Sequence, residues 1–149
     1  MVKHVVVDAK QLNGFTIEAQ ARNHTVTIDQ SEAGGGQNCG ANPLEYLFFS
    51  LAGCIITIGH IIAKQRRLPV RNISVRVEGD LDTDVLMGKS TAQRAGFTGV
   101  RVITSIDADM TQEEKEQFLK DIDARCPISD NIHNLTPIEL VVEEIAVTA

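Results

Sequence analysis

The sequence predicts an α+β domain in the order β-β-β-α-β-β-α-β, built around one long buried helix. Three observations carry this. Residues 42–68, NPLEYLFFSLAGCIITIGHIIAKQRRL, are apolar on nearly every side: from Leu44 to Ala63 the only ionisable side chains are Glu45, Tyr46, Cys54 and His60. The segments on either side alternate apolar and polar residues with the period of a strand. A second stretch, Thr111–Arg125, has the apolar spacing of an amphipathic helix. At 149 residues the chain is expected to form one domain, 1–149, able to bury a core without staples.

Taken in order, Val2–Ala9 is rich in valine and reads as a strand, and Asn13-Gly14 is a hairpin turn signal. Phe15, Ile17 and Ala19 then alternate with polar residues, as do Val26 and Ile28, across the corner Arg22-Asn23-His24. This predicts a three-stranded antiparallel meander. Ser31–Ala41, with Gly34, Gly35, Gly36 and Gly40, is a loop. Asn42 is a good helix N-cap, Pro43 suits the first helical position, and Glu45 stands where a capping box needs an acid. Lys64, Arg66 and Arg67 favour the C-terminal end of the dipole, and Leu68-Pro69 stops the helix. Such a helix is about 35–40 Å long. Length and apolarity alone also admit a membrane span, against which stand Glu45, His60 and the small or polar Ser50, Gly53, Thr57 and Gly59.

Beyond Pro69, Ile73, Val75 and Val77 mark a half-buried strand; residues 79–96 carry little signal and read as a long loop or strand extension; residues 97–107 alternate again. Thr111 and Glu114 form a capping box ahead of the stripe Phe118, Leu119, Ile122. The residues after Cys126-Pro127 look rich in turns, and Ile138–Val147 reads as a last strand. A helix apolar on all sides must be covered on all sides, more than one small sheet can do, so an intertwined homodimer is expected.

With 14 basic and 20 acidic residues the net charge is −6, and no basic cluster exceeds Lys64–Arg67, so neither nucleic acid nor an anionic membrane is an expected partner. The N-terminus has too short an apolar run for a signal peptide, so a cytoplasmic location is expected. Three cysteines, Cys39, Cys54 and Cys126, are spaced too irregularly for a disulfide scaffold or a zinc site. Singly, each reads as a small buried hydrophobe.

Other motifs dissolve on inspection. Asp80, Asp82 and Asp84 resemble the start of a calcium loop, yet Val85 and Thr91 stand where Gly and Glu are required. Gly88-Lys89-Ser90 lacks the first glycine of a phosphate loop. His4, His24, His60 and His133 share no metal-binding spacing.

Two cysteine motifs remain. Gly40-Ala41-Asn42-Pro43 leads through Leu44-Glu45-Tyr46-Leu47 to Leu51-Ala52-Gly53-Cys54, and Cys126-Pro127-Ile128-Ser129 has the form C-P-x-S. Together with the order of elements, these resemble the OsmC/Ohr family of osmotically inducible and organic-hydroperoxide-related redox proteins, across essentially the whole chain. The resemblance implies a thiol peroxidase at a dimer interface, reducing organic hydroperoxides. Cys54 would match the peroxidatic thiolate and Cys126 the resolving thiol that closes a disulfide with it. An external dithiol, lipoyl-type or small-molecule, would regenerate the enzyme, with no metal or organic cofactor.

A thiol buried in an apolar helix needs help to ionise, and Cys54 lies too deep for the helix dipole to give much. The resemblance points to an arginine upstream of the helix; Arg22 is the only one in this chain, with an exposed turn residue as the competing reading. The acid that follows the proline directly in the well-understood peroxidases is here Leu44, with Glu45 one position later, an order more like the OsmC-like branch. Glu45 lies nine residues from Cys54, about 180° away around the helix, and also reads as a capping carboxylate. The alternative function is a redox-sensing or apolar-ligand-binding protein of the same fold with little turnover. A purely structural dimer is the third reading. Cys39 and His133 read as loop residues.

Overall fold

The computed structural model describes residues 1–146. Its elements are β1 (Asp8–Asn13), β2 (Thr16–Ala21), β3 (His24–Ile28), a one-turn 3-10 helix (Glu32–Gly34), α1 (Pro43–Arg66), β4 (Val70–Asp80), α2 (Thr83–Leu86), β5 (Gly99–Ala108), α3 (Gln112–Arg125) and α4 (Pro127–His133). Strands β1-β2-β3 make one antiparallel sheet and β4-β5 another.

Helix α1 forms where its caps place it. The Asn42 side chain accepts the Glu45 N–H at 2.9 Å, and Glu45 Oε2 accepts the Asn42 N–H at 2.8 Å, a reciprocal capping box with Pro43 behind it. At the other end Arg67 turns into the left-handed region (φ 54°), and the Leu68 N–H donates to the Ala63 carbonyl. One face of α1, the i, i+4, i+8, i+11 stripe Leu51, Ile55, Gly59 and Ile62, is buried. It packs on Ile73 of β4, on Phe118 and Ile122 of α3, and on Cys126 at the end of α3. Ile62 and Ile122 are fully buried, each contributing about 1.5–3 kcal/mol by the transfer of its side chain from water. Gly59 makes that approach possible. A Cβ there would lie 2.6 Å from Ile73 Cδ1 and 3.1 Å from Ile122 Cδ1.

Much of the rest of α1 is not covered by its own chain. Phe49 and Ile56 on the opposite side, Ile61 on a flank, and Leu44 and Leu47 in the first turns are all exposed, Phe49 to 61%. By length and composition α1 could cross a membrane; here its core stripe packs against β4 and α3.

Two strand boundaries differ from the sequence expectation. The first strand is Asp8–Asn13 rather than Val2–Ala9. The two-residue turn at Gly14 (φ 57°) pairs Asn13 with Thr16 and Asp8 with Gln20, and β2 ends at Ala21, so residues before Asp8 have no strand to lie beside. The last expected strand, Ile138–Val147, pairs with nothing over residues 138–146, where its apolar side chains are exposed (Val142 to 94%); Val147 lies outside the described residues. Residue pattern marks a β-prone segment but not its hydrogen-bonding partner. Within 79–96, β4 runs on to Asp80 and a short helix, α2, follows, with Asp82 accepting the Asp84 N–H as its N-cap. The acidic run serves that turn. The segment expected to be rich in turns is instead α4, with Pro127 at its first position.

The loop between β3 and α1 is held by Asp29, 1% exposed, whose carboxylate accepts the backbone N–H of Gln30 at 2.8 Å and of Gln37 and Cys39 at 3.1 Å. Tyr46 Oη donates to the Thr27 carbonyl and ties the sheet to the start of α1. The Cys39 amide, with those of Gln30 and Gln37 and the Thr16 hydroxyl, holds the Asp29 carboxyl below its ordinary value of 3.8, burial working against them. A carboxyl depressed in the folded state stabilises at pH values above its unfolded pKa and loses that contribution as pH falls through the lower folded one. Asp29→Asn is therefore expected to lower the urea midpoint at neutral pH, with the gap to wild type narrowing below about pH 4. Equal midpoints at neutral pH would contradict the loop-anchor role.

Candidate active site

Cys54 sits at the rim of the buried stripe of α1, beside Ile55 and one turn beyond Leu51, so its sulfur is half-buried against the core cluster. Cys126 is its neighbour. It is 1% exposed and occupies the junction of two helices, the C-cap of α3 and the N-cap of α4 at once, in an extended conformation (φ −82°, ψ 111°). All three cysteines are free thiols.

The Cys126 sulfur acts on that of Cys54. Burial pushes the Cys54 thiol up from its ordinary value, and the neighbouring Cys126 thiol pushes it further. The backbone N–H of Ile128, in the first turn of α4, pulls the other way. The next amide, that of Ser129, donates to Cys126 Sγ at 3.4 Å. Pro127 has no N–H, so the amides of Ile128 and Ser129 are the first two that α4 can offer, and each serves one of the sulfurs. Chemically this is a pair of thiols in an apolar seam, with one amide donor for each anion they could form.

A groove of about 420 Å³ is lined by Ile55, Val102, Leu119, Glu116, Lys120 and Asp123, and neither cysteine lines it. Among the described residues, no group of three or more His, Cys, Asp and Glu side chains is arranged to hold a metal ion.

Residues 34–141 match the family model of OsmC-like proteins. The chain belongs to the OsmC-like family. Its fold is that of several solved OsmC-family structures. The OsmC-like protein of Mycoplasma pneumoniae superposes with a TM-score of 0.79 at 18% identity, covering 91% of each chain. An organic hydroperoxide resistance protein OsmC of Legionella pneumophila gives 0.67 at 18% identity over 89% of this chain and 90% of that one. An organic hydroperoxide resistance protein of Elizabethkingia anophelis gives 0.64 at 19% over 87% and 88%. No curated protein sequence matches.

Within this OsmC-like chain the structure brings Cys54 and Cys126 together and leaves the other two sequence candidates apart from them. Arg22 stands in the exposed β2–β3 turn with a left-handed backbone (φ 57°), and it is not among the groups acting on Cys54. Glu45 is exposed and committed to the capping box of α1. Cys39 is exposed, its N–H held by Asp29, and His133 ends α4 at the surface. Sequence reading missed the Ile128 amide, Ser129 as a donor, and Asp123. The C-P-x-S motif contained the signal: a proline at the first position of a helix frees the following amides to face its N-cap.

Glu45→Gln is expected to cost about 0.5 kcal/mol of stability through the weakened cap and to leave the alkylation rate of Cys54 unchanged. Slower alkylation at unchanged stability would assign Glu45 to the thiol instead.

Proposed function

We propose that this OsmC-like protein is a Cys-based thiol peroxidase that reduces organic hydroperoxides. The single observation that carries the reading is the contact between Cys54 and Cys126 in one chain, with an amide donor for each sulfur. The Cys54 thiolate attacks the outer oxygen of ROOH, the O–O bond breaks, and ROH leaves after taking a proton, giving a Cys54 sulfenic acid. The Cys126 thiolate then attacks the Cys54 sulfur; the S–O bond breaks, hydroxide leaves as water, and a Cys54–Cys126 disulfide remains. An external dithiol, lipoyl-type or small-molecule, reduces it and is itself oxidised. The apolar residues packed around Cys54 favour an organic hydroperoxide over hydrogen peroxide.

The working form in this proposal is a homodimer. Three features support it: the bare apolar side of α1, a β1–β3 sheet that makes few contacts with the rest of its own chain, and two unpaired β-prone segments, Val2–Val7 and Ile138–Ala146. A second copy can cover all of them. Burial leaves Cys54 little thiolate near neutrality, so a cation has to be supplied, and the exposed tip of the β2–β3 hairpin carries one in Arg22. We assign Arg22 the role of stabilising the thiolate across that interface.

The alternative, a redox sensor or apolar-ligand binder with little turnover, is favoured by one observation: among the described residues no Lys or Arg acts on Cys54 within its own chain. Dithiol-dependent consumption of cumene hydroperoxide and hydrogen peroxide separates the two. Wild type is expected to consume the organic peroxide faster, with Cys54→Ser inert and Cys126→Ser stopping after one turnover in an over-oxidised state. Arg22→Ala is expected to lose about tenfold or more in rate near neutral pH, and its Cys54 alkylation should keep rising about tenfold per pH unit up to at least pH ~8.5. A wild type that leaves its thiols reduced and consumes no peroxide sinks the peroxidase reading.

A further inference from the structure

Cys126 belongs fully to neither of the helices it joins, so something must fix the junction for its sulfur to meet Cys54. The Asp123 carbonyl, in the last turn of α3, accepts the Cys126 N–H at 3.2 Å. The same residue's carboxylate accepts a hydrogen bond from the Ser129 hydroxyl, in the first turn of α4. Ser129 is 5% exposed, and its N–H reaches Cys126 Sγ. Asp123 stands three residues before Cys126 and Ser129 three residues after it, so one side-chain bond closes a bracket around the cysteine. Any swing of α4 about Cys126 would break that bond and move both the Ser129 amide from Cys126 and the Ile128 amide from Cys54.

We propose that Asp123 and Ser129 are positioning residues that lock the α3–α4 junction and present Cys126 Sγ to Cys54 for disulfide closure. The inference rests on reading Cys54 and Cys126 as a redox pair. The step concerned is the second one: Cys126 sulfur bonds to Cys54 sulfur, the Cys54 S–O bond breaks, and the sulfenic oxygen leaves as water. The initial attack on peroxide is made by Cys54 on the rigid helix α1, and the bracket bears on it only through the Ile128 amide. Loss of the bracket therefore lengthens the life of the sulfenic acid and exposes it to a second peroxide, which oxidises it to the sulfinic acid.

The test compares wild type with Ser129→Ala, Asp123→Ala, Asp123→Asn and the double alanine variant, each with a recorded melting curve. Two quantities are read. One is the sulfinic fraction of Cys54 by intact mass after a fixed excess of cumene hydroperoxide. The other is the equilibrium constant of the Cys54–Cys126 disulfide in glutathione buffers, which needs no peroxide.

Ser129→Ala and Asp123→Ala should each lower that constant about tenfold or more, the scale of a hydrogen bond to a charged group, and raise the sulfinic fraction of the Cys54 that has been oxidised. Asp123→Asn keeps an acceptor for the hydroxyl and should stay close to wild type. The double variant should lose no more than either single one, because both changes remove one bond. Lower melting temperatures with an unchanged disulfide constant, or losses that add in the double variant, overturn the proposal. A wild type that forms no disulfide even in glutathione buffer overturns it as well. A wild type that forms the disulfide in glutathione yet ignores peroxide refutes the peroxidase reading and leaves this inference to be decided by the variants.

Discussion

The constraint on which the rest of the structure depends is a helix with no polar side. Twenty-four residues of α1 carry apolar groups around the whole circumference, and the chain's own core satisfies one stripe of them, Leu51, Ile55, Gly59 and Ile62. Burying that stripe brings α3 against α1 at Gly59 and Ile122, and the end of α3 then delivers Cys126 to Cys54. The remaining sides set the demand for a partner. The three-stranded sheet stands apart from the core and does not cover them, and in the proposed reading a second copy does.

The same packing creates the chemical problem of the site. Apolar surroundings raise the Cys54 pKa, and a nearby second thiol raises it again, whereas nucleophilic attack needs the thiolate. Against this the chain sets one backbone amide, from Ile128. An amide is a partial charge, so it moderates the penalty without cancelling it, and a full positive charge is needed for fast reaction near neutral pH. This is why the proposed activity is tied to assembly. A chain alone would hold its two thiols in place and leave Cys54 mostly protonated.

Much of this was legible in the residues. Asn42, Pro43 and Glu45 announced the start of α1, and Thr111 with Glu114 that of α3, because capping is a local interaction encoded within four positions. The long helix and the meander followed from periodicity. What failed depended on partners remote in sequence. Val2–Val7 and Ile138–Ala146 have strand-like residues, but a strand exists only when it pairs with another edge, and neither segment is paired. For the site, the two cysteines were found through their motifs, while the Asp123–Ser129 bracket was not, since its meaning lies in how two helices meet at a single residue. Arg22 was chosen as the only upstream arginine, a reason of elimination that carries no geometry within one chain.

The measurement that tests the account most directly is peptide mass mapping of the protein after one equivalent of cumene hydroperoxide, with free thiols alkylated in denaturant before digestion. The account predicts Cys54 joined to Cys126 within one chain, the loss of two hydrogens, and Cys39 recovered fully alkylated. A disulfide involving Cys39, a Cys54 linked between chains, or both sulfurs recovered as free thiols would contradict it.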